Sequence, residues 1–368
     1  MRPDAGLALP VSARTLPPHV VDAFRRQERA CLELGSPFTA MLCGLIGESG
    51  LPAGPVRDRL SAWRDAPGFL SDALPLRLVG ALHYLVLSSH DDGLARIYPP
   101  QTADEATIAT AIDEAVERHG DLIGRYLDSP PQTNETGRSA VLLPAFLYLQ
   151  SRFDMPLVLS ELGASAGLNQ NWPRFRYEYG PWTWGSLDSP VTLACEWLGE
   201  TVPAHPPAKV ADCAGCDIAP IPIATEDDRL RLQSYVWADQ PTRLMRLAGA
   251  LSMAVNHPPN VAKAKAGDWL DERLRDERAG HLHIVFHTIM WQYLSSEEQA
   301  HAQWLIESAG RRATAAAPLA WLRFEPDGQP KSAALTVTIW NGEHPNGETI
   351  ALGRGDYHGR WIEWTAAS

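Results

Sequence analysis

The segment Leu157-Val158-Leu159-Ser160-Glu161-Leu162-Gly163-Ala164-Ser165-Ala166-Gly167-Leu168-Asn169 constrains this chain more than any other. An apolar, strand-like run ends in an acid, and small residues then lead to a helix-like start. A parallel α/β sheet uses this order to place a cofactor beside its first strand. Glycines let backbone approach a ligand where a Cβ would collide, and the helix expected to follow offers free N–H groups. The acid decides the ligand class. A carboxylate at the strand end accepts hydrogen bonds from a cationic or hydroxyl-rich ligand and repels a pyrophosphate. The segment therefore predicts a site for S-adenosylmethionine rather than for a dinucleotide.

The glycine spacing sharpens this choice. A dinucleotide fingerprint, G-x-G-x-x-G, counted from Gly163 falls on Gly163, Ser165 and Leu168 and fails twice. No lysine follows Gly167, which removes the phosphate-cradling P-loop. The methyltransferase pattern, acid-x-G-x-G-x-G, is met by Glu161, Gly163 and Gly167, with Ser165 where the middle glycine would stand. A serine there matters if the position needs φ > 0. The plainer reading, a tight strand-to-helix turn without a ligand, stands beside it.

The texture of the chain changes at this segment. From about Val20 to Gln150 the patterns are helical. Val20, Val21, Phe24, Cys31 and Leu34 fall mostly on one stripe, and Ser36-Pro37 suits a helix start capped by the serine. Further helices are expected over Val56 to Trp63, Pro75 to Ser88, Asp104 to Leu127 and, after the loop Ser129-Pro130-Pro131-Gln132-Thr133, Ser139 to Gln150. An all-α unit over residues 1–150 follows.

Beyond it, strand and helix signals alternate, which predicts a parallel sheet over residues 151–368. Strands are expected at Leu157 to Leu162, within Asp212 to Ile223, and at Asn260 to Ala264, His283 to Thr288 and Leu319 to Phe324. Ala334 to Trp340, Thr349 to Arg354 and Arg360 to Trp364 complete the set as an antiparallel end. Helices are expected over Asp228 to Val255, Trp269 to Arg275 and Ser296 to Gly310. The fold class read here is α/β: a Rossmann-like, class I methyltransferase sheet preceded by a helical domain. Residues 172–205, from Trp172 to His205, read as an inserted antiparallel hairpin made by Arg174 to Tyr179 and Val191 to Trp197. Its Tyr177, Tyr179, Trp182, Trp184 and Trp197 suit a lid or substrate wall, and equally a packing flap or a homodimer contact.

Acids recur at later strand ends. Asp217, in Gly215-Cys216-Asp217-Ile218-Ala219-Pro220, offers two acceptor oxygens to a pair of ribose hydroxyls; a turn Asp before proline is the plainer reading. Asp268, in Gly267-Asp268-Trp269, is placed to accept from an adenine amino group, or to cap a helix. His287, in Phe286-His287-Thr288, stands where open α/β sheets bind ligands and suits a general base; a structural histidine is the alternative. Tyr293 and Asn134 are candidate helpers for the acceptor, and Asn169 closes the glycine segment. Gln132 to Arg138 and Trp237-Ala238-Asp239-Gln240-Pro241 are polar helix breaks that could line the pocket, with Asn134 as a cap and Glu135 to Arg138 as a local ion pair.

Charge and cysteines narrow the partners. The net charge of −12 opposes nucleic-acid backbones and anionic membranes alike. Five cysteines in 368 residues build no disulfide framework, and Cys213-x-x-Cys216 lacks a second pair for zinc. His281 and His283 share a strand face without a matched acid, so no metal is expected. The N-terminus lacks the basic-then-apolar order of a signal peptide, and no apolar run nears the ~20 residues that span a bilayer. A cytoplasmic protein is expected, either a methyltransferase acting on a small molecule or a non-catalytic member of the fold that binds a nucleoside-like ligand or a protein partner.

With these segments in view, the chain resembles the bacterial domain-of-unknown-function family 2332. The matching pieces are Phe24-Arg25-x-Gln27 with Gly35-Ser36-Pro37-Phe38, Gln132-Thr133-Asn134-Glu135 with Gly137-Arg138, and Glu161-x-Gly163-Ala164-Ser165-Ala166-Gly167-Leu168-Asn169. Cys195-Glu196-Trp197, Trp237-x-Asp239-Gln240, Phe286-His287-Thr288 and His358-Gly359-Arg360-Trp361 complete them. The resemblance implies a Rossmann-like domain similar to S-adenosylmethionine-dependent methyltransferases, with Ser165 shared by the family pattern. It implies no particular reaction.

Overall fold

The chain divides into two units, and the division does not follow chain order. One holds the residues up to Thr133 together with Thr225–Met245; the other holds Asn134–Ala224 and Arg246 onward. The computed structural model describes residues 14–63, 73–128, 131, 133–200, 202 and 206–366. Ser129, Pro130 and Gln132 of the expected loop, and His205 at the end of the expected insertion, lie outside them.

The first unit is helical: α1 (Pro18–Glu33), α2 (Pro37–Ser49), α3 (Pro55–Ser61), α4 (Leu74–Leu87), α5 (Asp92–Ala95), α6 (Glu105–Arg118) and α7 (Gly120–Leu127). Val20, Phe24 and Cys31 are buried along α1, as the stripe predicts. Val20 and Phe24 join Leu42, Ile46, Leu78, Leu82, Ile112 and Ile123 in one apolar core, the main stabilising term for such a unit. Two expectations need correction. The long helix over Asp104 to Leu127 breaks at His119, where buried Asp91 accepts from His119 Nε2 at 3.0 Å and from Arg118 Nη1 at 2.7 Å. Ser36 does not cap α2 with its side chain. Its hydroxyl donates to Asp239, whose other oxygen accepts the Phe38 N–H at 2.8 Å.

The second unit is built on helix α8 (Ser139–Phe153) and a nine-stranded mixed sheet. Its strands, in chain order, are β1 (Leu157–Leu162), β5 (Glu196–Trp197), β6 (Val210–Asp217), β7 (Val261–Lys263), β8 (Leu282–Thr288), β9 (Leu319–Glu325), β10 (Ala333–Trp340), β11 (Glu348–Gly355) and β12 (Trp361–Trp364). A small separate sheet holds β2 (Arg176–Glu178), β3 (Thr183–Trp184) and β4 (Thr192–Ala194). The large sheet runs β5-β12-β11-β10-β9-β8-β1-β6-β7. From β7 to β9 every neighbouring pair is parallel, so the order of appearance is third, second, first, fourth, fifth. The order reverses at β1, and ligands of open α/β sheets bind outside the carboxyl ends of strands at such a reversal. β9 to β12 then add as an antiparallel meander.

The helix expected over Asp228 to Val255 is two helices, α9 (Glu226–Ser234) and α10 (Pro241–Asn256), separated at the Trp237–Gln240 break. α9 groups with the helical unit, and α10 begins there and ends in the second. Helices α11 (Ala266–Arg273) and α12 (Ser296–Arg312) cover one face of the sheet through Leu270, Ala302, Leu305 and Ile306 against Leu162, Val285 and Trp321. On the other face Phe146 of α8 meets Phe286 of β8 edge-on at 5.3 Å.

The inserted segment is not a simple hairpin. Gly180, at φ 83°, helps turn β2 into its antiparallel partner β3. The chain then loops back so that β4 lies parallel to β2, and β5 leaves to join β12 at the edge of the large sheet. Trp172, Tyr177, Tyr179 and Trp182 are buried, and Tyr179 stacks on Trp182 at 4.2 Å. These residues form a packed aromatic layer. Among the described residues no helix is long and apolar enough to cross a membrane.

Candidate functional site

Side chains alternate along a strand, and on β1 this separates two polar positions. Glu161 lies in register with Phe286, on the face that α8 covers. Ser160 faces the other way, where its hydroxyl meets His283 Nε2 at 2.8 Å and accepts from Arg273 Nε at 2.9 Å. Burial pushes His283 down to about 3, so it is a neutral core histidine.

After Glu161 the backbone takes three left-handed residues in alternation: Gly163 at φ 67°, Ser165 at 54° and Gly167 at 72°. The middle position thus does need φ > 0, and a serine supplies it. Its N–H donates to Asp217 Oδ2 at 2.8 Å, so the acid at the end of β6 steadies the conformation. The glycines serve packing as well as conformation. A Cβ at Gly167 would stand 2.6 Å from Pro259 Cβ and Val261 Cγ2, and one at Gly163 3.0 Å from Met290. Protein side chains therefore fill the directions that the sequence suggested for a ligand.

The expected α-helix start is instead a 3-10 turn over Leu168–Arg174. Its first donor is already used, because Asn134 Oδ1 accepts the Leu168 N–H at 2.8 Å. Asn134 is thus a clamp on the glycine turn; it does not cap α8, whose N-cap is Arg138.

Two buried polar atoms at this turn have no partner: Glu161 Oε2 and Ser165 Oγ. Buried polar groups are nearly always hydrogen-bonded, so this pair has bonding capacity to offer another molecule, a state it shares with Glu325 Oε2 and other buried atoms of the described residues. Burial, and then the Asp217 carboxylate, push Glu161 up to about 8, while the Asn169 amide and the Arg138 guanidinium oppose this. Near neutral pH Glu161 is largely a carboxylic acid, able to donate as well as accept. Asn169 is itself fixed by the Ser139 hydroxyl, which donates to its Oδ1 at 2.8 Å. Asp217 accepts one backbone N–H on each oxygen, from Ser165 and from Ala219 at 2.9 Å, which leaves lone pairs on both.

The predicted residues separate into two sets. Glu161, Gly163, Ser165, Gly167, Asn169, Asn134 and Asp217 are joined by the contacts above. Asp268 stands exposed on the first turn of α11 and shares no hydrogen bond with Glu161 or Asp217. β7 lies two strands from β1, roughly 10 Å away. Tyr293 is 59% exposed, in the 3-10 turn Trp291–Tyr293. His287 needs correction. It is in register with Leu162, so it faces away from Glu161, and it is fully buried. Its Nδ1 bonds Glu325 at 2.6 Å and its Nε2 accepts from Trp321 Nε1 at 3.1 Å. With both nitrogens engaged, it is not placed to take a proton from a ligand. Asp239 likewise is spent on α2.

The sequence reading put Glu135, Gly137 and Arg138 in a polar cluster beside the pocket but did not find the partners that frame the turn with them. Arg138 donates to the backbone oxygens of Tyr357 at 3.0 Å and Thr288 at 3.2 Å, which ties the start of α8 to two strand ends. Glu135 accepts from Arg246 at 2.9 Å and lies 3.2 Å from His358 Nδ1. Gly137 and Gly359 touch backbone to backbone, and a Cβ on either would strike the other's segment. The Gly137-Arg138 and His358-Gly359 pieces named above were the available signal; Glu325 had none.

A family model described as "Uncharacterized protein conserved in bacteria (DUF2332)" matches residues 21–364. No curated protein and no solved structure matches the chain.

Proposed function

The chain belongs to that bacterial family, whose description assigns no reaction, and from the site itself we propose that it is a methyltransferase: it binds S-adenosylmethionine at the β1 turn and acts on a small-molecule acceptor. One observation carries this reading: a fully buried acid with an unpartnered oxygen stands at the order-reversing strand of a parallel sheet.

The residues fit the cofactor's chemistry. Glu161 Oε2 and Ser165 Oγ are orphans that a cationic amino-acid end would satisfy. Asp217 has free lone pairs for ribose hydroxyls, whereas exposed Asp268 shares no hydrogen bond with this set and adds no support. When bound, S-adenosylmethionine supplies a methyl group on a sulfonium, whose transfer is an in-line displacement that depends chiefly on positioning. Glu161 binds and orients, the Asn134 and Asn169 clamps hold the turn, and Arg138 fixes the neighbouring strand ends.

A second reading has its own support. The saturated His287 leaves the proposed base without a proton-accepting nitrogen, which favours a non-catalytic protein that binds a nucleoside-like ligand. Titration calorimetry with S-adenosylmethionine and S-adenosylhomocysteine tests the site. Micromolar binding is expected, and Glu161→Ala should weaken it about 100-fold, the scale of losing a charged hydrogen bond in a buried site. Absence of heat with both ligands sinks the cofactor assignment. Binding without methylated product in a broad acceptor screen selects the second reading.

A further inference from the structure

We infer that His287 and Glu325 are positioning residues that hold the Met290–Trp291 backbone against Gly163, so that one wall of the ligand turn is set from the fifth parallel strand. The inference rests on the cofactor reading above for what the wall serves, and on geometry alone for how the wall is held.

Glu325 is the last residue of β9. Its Oε1 accepts from His287 Nδ1 at 2.6 Å, from the Met290 N–H at 3.0 Å and from the Trp291 N–H at 3.3 Å. Trp321 Nε1 can only donate, so His287 Nε2 is bare and Nδ1 carries the hydrogen that Glu325 receives. The imidazole is thereby locked in one tautomer and one orientation. In that orientation it stacks on Trp291, with ring centroids 4.7 Å apart and planes 18° from parallel.

The backbone between these groups is bent to suit. Ile289 sits at φ 51°, and its N–H donates to Phe324 at 2.9 Å. A β-branched residue in the left-handed region persists only where its surroundings over-determine it. The bend delivers Met290, whose Cβ, Cγ and Cε lie 3.0 to 3.2 Å from where a Gly163 Cβ would stand. The far side of the loop is held by Gln299 of α12, which donates to Trp291 O at 2.9 Å and Leu294 O at 3.3 Å. Its outer residues Gln292 and Tyr293 are exposed. Without the Glu325 knot, the Met290 end would be held by the Ile289 hydrogen bond and by the packing of the Met290 side chain against the apolar cluster around Leu162 and Val285.

Amide hydrogen exchange over residues 289–294, with S-adenosylhomocysteine affinity measured on the same proteins, decides the matter. His287→Ala and the isosteric Glu325→Gln should each speed exchange in that segment at least 10-fold and weaken the ligand at least 10-fold. His287→Asn, which returns a side-chain donor near the Nδ1 position, should restore most of both. Exchange in α1 and α2 should not change. Unchanged exchange at 289–294 in both disruptive variants overturns the latch, and faster exchange with unaltered affinity overturns the positioning role. If the wild-type protein fails to bind S-adenosylhomocysteine, the cofactor reading falls, and the exchange data still decide whether the pair holds the loop.

Discussion

Two neighbouring strands end in buried ionisable residues, and they are finished differently. At the end of β8, His287 has both ring nitrogens engaged, a ring stacked on it and a carboxylate that also gathers two backbone N–H groups. At the end of β1, Glu161 is as deeply buried but keeps one oxygen without a partner, and Ser165 keeps a hydroxyl in the same state. The β8 network saturates the imidazole but leaves Glu325 Oε2 without a partner, and such a network rigidifies what it joins. Each orphan costs folding free energy, a cost that a ligand can relieve. Each site keeps one unpartnered carboxylate oxygen, and they differ in that His287 itself is saturated. Under the proposed function the first is scaffold and the second recognition, whereas the sequence reading gave the histidine the chemistry.

The comparison breaks first on pH. Glu161 is raised above its unfolded value, so the folded state holds its proton more tightly. Stability from this group is whole below about pH 4.5, falls as pH rises through the window up to about 8, and levels off above it. The facing groups are Asp217 on β6, Arg138 before α8 and Asn169 after the turn. The full loss is on the order of 5 kcal/mol, and Glu161→Gln should remove it. Denaturant midpoints at several pH values measure this. Parallel curves for the two proteins would mean that Glu161 is not the buried acid described here.

Backbone changes sharpen the same contrast with smaller effects. Gly167→Ala puts a Cβ against Pro259 and Val261 at a positive φ and should cost roughly 2–3 kcal/mol by thermal or chemical denaturation. Ser165→Gly should do the reverse. It removes a left-handed serine and an orphaned hydroxyl, and about 1 kcal/mol of stabilisation is expected. If ligand affinity drops at the same time, the hydroxyl serves binding at the expense of folding. A Ser165→Gly protein that is less stable would show that the Asp217 contact already offsets the strain.

Much of the sheet was legible because its strands are apolar runs bounded by turn residues, and Leu157 to Leu162 matches β1 residue for residue. Glu161 and Asp217 were legible because an acid closing such a run is unusual enough to signal a strand end. What could not be read depends on contacts between residues far apart in the chain. Glu325 lies 38 positions from His287, and only the parallel pairing of β8 with β9 brings them together. Asp239 meets Ser36 across 203 positions, so the serine's cap preference lost to a stronger acceptor. The β2–β4 pairing was misjudged because alternation shows that a strand exists but not which way its partner runs.

The non-contiguous helical unit has a consequence for biogenesis. Its own α9 segment, Thr225–Met245, is encoded after the first two parallel strands. During synthesis the early helices therefore leave the ribosome without that final piece and wait roughly 10 s for it, at ordinary elongation rates. A fragment cut after Thr133 recreates this unfinished intermediate permanently, with the apolar surface that Tyr235 covers left open to water.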